Sequence, residues 1–191
     1  ESGYFVAQSA EHNWHLFMTA SNLSKTHKHD DHLSISFWAE GVDWLIDPGF
    51  YSHHYDEPIP AHARSAAAHN APFFPGRVYS NALGLANIVE TTHDNDEQQG
   101  FVVTGAHGAY EDVSVQRVVE GSTASNRINI TDTLSAKNLL AENPRWNFIC
   151  GQGVSLNLIP NGVLLSSEST TTCVKITFNN AKCEFEKWGK E

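Results

Sequence analysis

At 191 residues, with 40% apolar and 18% charged side chains, the chain has the size and composition of a globular domain with a substantial core. A net charge of -10 without any basic stripe argues against nucleic acid or an anionic membrane surface as partner. No apolar run approaches the length needed to span a bilayer.

In chain order, residues 4–7 and 14–18 read as an opening hairpin. Residues 33–38 alternate, with Leu33, Ile35 and Phe37 on one face. Residues 41–43 read as a turn into a strand over 44–46, and 50–68 as a long irregular loop rich in His, Pro and Ala. Residues 93–99 are polar and read as an exposed turn. Further strands are expected at 101–104, 113–119, 127–130, 146–150, 154–158, 163–166, 173–178 and 183–188. Turn residues such as Pro160-Asn161-Gly162 and Asn179-Asn180 separate them at short intervals. This spacing predicts an all-β fold, an antiparallel multi-sheet β-sandwich, formed as one domain over 1–191 with no helix beyond about three turns. The only methionine is Met18, so the expectation is a processed form or an excised domain. Cys150, Cys173 and Cys183 are odd in number. Free thiols are favoured over a Cys173–Cys183 pair across neighbouring strands.

Seven of the eleven histidines fall between His27 and His69. Three of them, with two carboxylates, sit in Thr26-His27-Lys28-His29-Asp30-Asp31-His32. On an extended segment His27 and His29 share a face and aim two imidazoles into one pocket. Asp47 ends an apolar strand and His69 begins or precedes another. Two imidazoles and a carboxylate with open positions suit zinc or a similar divalent ion. Asp30 and His32 are expected to be solvated on the outer face. HxH strands also occur in cupins, but Glu40 lies too far from His29 for the cupin glutamate, and Pro48-Gly49 stands where Pro-x-Gly is usual. A cupin-like metalloprotein is the lesser reading.

The ordered set His27-x-His29-x-Asp31-x-Leu33-Ser34, Asp47-Pro48-Gly49-x-Tyr51, Arg64-Ser65 and His69-Asn70 resembles the C-terminal β domain of heparinase II/III-type polysaccharide lyases. The resemblance implies that an N-terminal α/α toroid of a parent chain forms the other wall of a substrate cleft. It implies zinc held by His29, Asp47 and His69, and His27 facing the cleft as a catalytic residue. Tyr51, after the Pro-Gly turn, matches a frequent family tyrosine and is assigned to catalysis as well. Arg64 matches the family's Arg-containing approach to His-Asn and is assigned to substrate. Asp31 is expected to orient a histidine or support the loop. The implied reaction is β-elimination on an acidic, uronic-acid-containing polysaccharide, in a periplasmic or secreted setting. A base takes the C5 proton, an acid protonates the departing oxygen at C4, and the enolate-like charge on the carboxylate is neutralised. Lys25, Lys28 and Arg64 can supply local positive charge. The fragment alone is expected to be inactive.

A non-catalytic carbohydrate-binding or scaffold module is the alternative. Trp14, Trp38, Trp44, Trp146 and Trp188 can stack on sugars, but packing within the sheets is the favoured reading of most of them.

Overall fold

Alternation decides which face of each strand is buried. In β1 (Tyr4–Ser9), Phe5, Ala7 and Ser9 point inward while Tyr4, Val6 and Gln8 face solvent. The expected hairpin joins it to β2 (Trp14–Thr19), pairing Tyr4 with Thr19 and Ser9 with Trp14. β3 (Ile35–Ala39) and β4 (Val42–Leu45) complete an antiparallel sheet in the order β1-β2-β3-β4. The computed structural model describes residues 3–9, 13–21, 27–82, 84–93, 100–122, 127–137 and 143–177.

A second sheet contains β6 (Ala86–His93), β7 (Gly100–Tyr110), β8 (Val113–Ser122) and β9 (Ile128–Ala136), each beside its sequence neighbour. A third contains β11 (Val154–Ile159), β12 (Gly162–Ser167) and β13 (Cys173–Thr177). The short β5 (Pro72–Phe73) pairs with β10 (Arg145–Trp146). Phe5, Leu16, Met18, Ile35 and Trp44 of the first sheet form one buried cluster with Phe101, Val103 and Val119 of the second and Val163 and Leu165 of the third. Leu33, Phe74, Tyr110, Val113 and Val115 form another beside it. Gly105 lets the first two sheets approach: a Cβ there would lie 2.5 Å from Cδ2 of Leu33. Antiparallel sheets packed through shared apolar clusters are the architecture that the strand spacing predicts.

Local differences from the sequence reading have physical causes. The β3–β4 turn is centred on Glu40 and Gly41, not on 41–43, because both adopt positive φ (53° and 80°), the backbone of a tight hairpin whose twist matches the strands. Leu33 stands outside β3 with φ 65°, although it is buried as expected. The loop expected over 50–68 contains the helix α1 (Pro58–Arg64) and a single 3-10 turn, Ala66–Ala68. Pro58 has no N–H to lose at a helix start, and the alanines that follow favour helix. Of the strand expected at 146–150 only Trp146 is extended in a ladder, while β5 and β6 escaped the pattern reading. Among the described residues no helix exceeds seven residues, and none is long and apolar enough to cross a membrane.

Trp14 and Trp44 are buried, Trp38 is half-buried, and Trp146 is exposed with its indole N–H on Asp132 Oδ2 at 2.8 Å. Cys150 is half-buried and Cys173 exposed. Lys25, Cys183, Trp188, the strand expected at 183–188 and most of the turn at 93–99 lie outside the described residues. So, with Cys183, does the Cys173–Cys183 pairing.

Candidate functional site

The histidine-rich segment is a turn, not a strand. His27 has φ 58°, so the alternation that would put His27 and His29 on one strand face does not operate. Both nevertheless line one open cleft of about 460 Å³, together with Lys28, Asp31, Ser34, Asp47 and Phe50. The two imidazoles turn to different neighbours. The His29 ring lies 5.6 Å from that of His69, and the His27 ring 4.9 Å from that of His53.

Asp47 follows β4 by two residues and is fixed by its own turn: Gly49 N–H donates to Oδ1 at 2.9 Å. Its Oδ2 lies 2.8 Å from His69 Nδ1. Burial pushes the Asp47 carboxyl up, but the hydrogen bond and charge of His69 outweigh it and hold the group below its ordinary value. Burial, helped by His69, lowers His29, which favours the neutral imidazole that a metal requires. His69 is fully buried, and its Nε2 has no hydrogen-bond partner among the described residues. Such an orphaned nitrogen calls for a water or an ion. The N, N, O donor set of His29, His69 and Asp47 fits a divalent metal in chemistry. Among the described residues, however, no three His, Cys, Asp or Glu side chains stand in a ready-made metal cage.

Lys28 is largely buried and ion-paired with Asp31. Burial lowers its ammonium to about 8 against the pull of Asp30 and Asp47. Asp31 also caps the turn, its carbonyl accepting Ser34 N–H at 3.0 Å, so it supports the loop. Arg64 donates through Nε to the Lys28 carbonyl at 3.0 Å and lies 4.6 Å from the centre of the Tyr55 ring. It braces the histidine turn from beneath. Tyr51 is 63% exposed on the loop, and its neighbour Phe50 is the aromatic that lines the cleft.

Asp30 and His32 are not solvated as expected. Asp30 accepts Asn81 Nδ2 at 2.5 Å, and burial raises its carboxyl. His32 is 2% exposed, its ring 5.7 Å from that of Tyr79 and 5.6 Å from that of His107. The cause is the reversal at Leu33: outside a ladder, His32 packs toward the second sheet, and its N–H donates to Tyr79 Oη at 3.1 Å.

One contribution escaped the sequence reading, and one residue of the motif, Asn70, carries a role the sequence did not assign. His53, between Phe50 and Tyr55 at ring distances of 4.7 and 6.2 Å, stands beside His27; the His53-His54 doublet in a long loop was its only signal. Asn70 is a buried hub. Its Nδ2 donates to the carbonyls of Ile35 and Ile46, both at 2.8 Å, its Oδ1 accepts Ile149 N–H at 2.5 Å, and its own N–H donates to Ser34 Oγ at 3.1 Å. It thereby sets His69 against the segments that carry His29 and Asp47.

Heparinase III, in its crystal structure, is similar to this chain with a TM-score of 0.68 at 14% identity, over 88% of this chain and 27% of that one. A heparan sulfate lyase from Pedobacter heparinus is similar with a TM-score of 0.66 at 14% identity, over 88% of this chain and 26% of that one. At such identity the likeness speaks to the fold, and the chain spans about a quarter of the length of these proteins. No curated protein matches. The family model described as heparinase II/III-like, C-terminal, matches residues 1–184, so this β-sandwich with its histidine-lined cleft belongs to the heparinase II/III-like C-terminal family.

Proposed function

We propose that the chain is the β-domain wall of the cleft in a polysaccharide lyase, acting on a uronic-acid-containing polysaccharide by β-elimination in the periplasm or outside the cell. The observation that carries this reading is the convergence of His27, Lys28, His29 and Asp47 on one open cleft in a member of this family. Similar solved proteins are a little over three times as long, and an α/α toroid of the parent chain is taken as the second wall. An open cleft with one wall suits a long polymer better than an enclosed pocket would.

His29, Asp47 and His69 would hold zinc. When bound, the ion braces the corner electrostatically and fixes the His29 ring, leaving His27 free for substrate. His27 is placed to exchange a proton with, or donate a hydrogen bond to, the reacting sugar. Lys28, ion-paired with Asp31, offers positive charge beside it for the carboxylate on which negative charge develops. Arg64 acts mainly through Lys28, whose carbonyl it holds, and Tyr51 reaches substrate from the loop rim. A net charge of -10 makes local cations necessary for an acidic polymer to approach at all.

The test is to express the full-length parent and screen heparan-type, alginate-like and other acidic polysaccharides for new unsaturated chain ends by ultraviolet absorbance. New absorbance with one of these polymers is the expected result. Cleavage that yields only saturated ends would replace elimination with hydrolysis. Binding without cleavage by an intact parent would favour a carbohydrate-binding module.

A further inference from the structure

The second sheet carries an arginine with no solvent exposure. Arg117 of β8 pairs across the ladder with Asp132 of β9, and the two make a fork: Nε to Oδ1 at 2.7 Å and Nη2 to Oδ2 at 2.8 Å. The remaining nitrogen does something a buried ion pair does not need. Nη1 donates to two main-chain carbonyls, Leu33 at 2.8 Å and Asn70 at 2.6 Å. Leu33 closes the turn that carries His27 and His29, and Asn70 follows His69 directly. One guanidinium nitrogen therefore fixes the separation of the two chain segments from which the histidines project.

Each end of this strut is stiff. Asp132 also accepts the Trp146 indole N–H, so the carboxylate that aims the guanidinium is itself held. Leu33 is in the left-handed region at φ 65°, uncommon for a branched residue, and its N–H donates to the Thr19 carbonyl at 2.6 Å while Arg117 takes its carbonyl. Both peptide groups that flank this turn residue are thus restrained. Burying a guanidinium is costly unless every donor is matched. A hydrophobic side chain would fill a sheet interior more cheaply. A planar fork is needed when one group must bind a carboxylate bidentately and still present a nitrogen to two carbonyls.

We infer that Arg117, aimed by Asp132, is a positioning residue that sets His69 against the His27–His29 turn from the opposite sheet. The inference rests on the metal-site reading for its consequence but not for its geometry. Removing the strut should loosen the corner without touching any proposed ligand, as outer partners of metal ligands do.

The test uses the 191-residue chain with Arg117→Lys, which keeps the charge but not the fork. Zinc affinity is measured by calorimetry, and the ring signals of His29 and His69 by nuclear magnetic resonance in the metal-free chain. Gly162→Ala serves as a control that weakens the fold elsewhere, since a Cβ there would collide with the Ile176 carbonyl. Zinc affinity is expected to fall roughly 10- to 100-fold in Arg117→Lys, with both histidine signals displaced, and to hold in Gly162→Ala. If Arg117→Lys does not fold, Asp132→Asn, which keeps the arginine and the volume, should displace the same two signals. A folded Arg117→Lys or Asp132→Asn chain with unchanged signals would overturn the proposal and leave Arg117 a purely structural ion. A wild-type chain that binds no zinc would instead remove the metal reading, while the histidine signals still decide the strut.

Discussion

Nδ1 of His69 lies 2.8 Å from Oδ2 of Asp47, joining a side chain with no exposure to one that is 44% exposed. The pair spans the boundary between core and cleft. The carboxylate orients the imidazole, and the other imidazole nitrogen is left without a partner among the described residues. Zinc at this corner is expected to be stoichiometric in protein prepared without chelator. Asp47→Ala and His69→Ala should each lose it, and elemental analysis of the three proteins checks this. Full zinc in either variant would move the ion elsewhere.

His27 has no share in that metal set, so its removal should separate chemistry from structure. In the full-length parent, His27→Ala is expected to lower turnover by roughly 10²- to 10⁴-fold while the fold and the zinc content stay as in wild type. Steady-state rates at saturating polysaccharide, with circular dichroism and metal analysis on the same samples, give the answer. Unchanged turnover would free His27 from the mechanism.

Asn70 stands at the junction of four segments, and Asn70→Ala leaves the buried Ile35 carbonyl and the partly buried Ile46 carbonyl and Ile149 N–H without it. The stranded buried carbonyl costs about 1–3 kcal/mol and the partly buried groups less, so a loss of at least about 1 kcal/mol is expected. Urea unfolding followed by tryptophan fluorescence measures it. A midpoint unchanged from wild type would mean that the hub carries no net stability.

Acid should unfold this chain through histidines outside the cleft as well as through its carboxylates. Burial lowers His32 to about 3 and His107 to about 4 from an ordinary 6.5. Between those values the unfolded chain binds protons that the folded chain refuses. Stability therefore falls as pH drops from 6.5 toward 4 and below, by on the order of 1.4 kcal/mol per histidine for each pH unit within its window. His107→Phe should flatten part of this decline in melting temperature between pH 6.5 and 4, and an identical slope would locate the proton uptake elsewhere.

The strands were legible because their information is local. Alternation over 4–7, 14–18, 113–119 and 154–158 needs only a period of two, and each lies within an observed strand. The β6 strand was missed because Ala86-Asn87-Ile88-Val89-Glu90 carries little alternation and a register shift interrupts its pairing between Ile88 and Glu90. The helix α1 was missed because two prolines and a histidine conceal a period too short to detect in seven residues.

The order of residue types also determined which side chains gather at the corner. Asp47 meets His69 at 2.8 Å and the His29 ring lies 5.6 Å from that of His69, because Pro48-Gly49 and the strands around them confine where those segments can run. What tertiary structure alone decided is how each one faces. A positive φ at His27 and Leu33 overrides the alternation that a strand would impose, sending His32 into the core and His27 toward His53. The pairing of Arg117 with Leu33 and Asn70 crosses separations of 84 and 47 residues, a distance over which no periodicity or spacing in the chain carries information. Only the packing of one sheet on another brings a guanidinium to those two carbonyls.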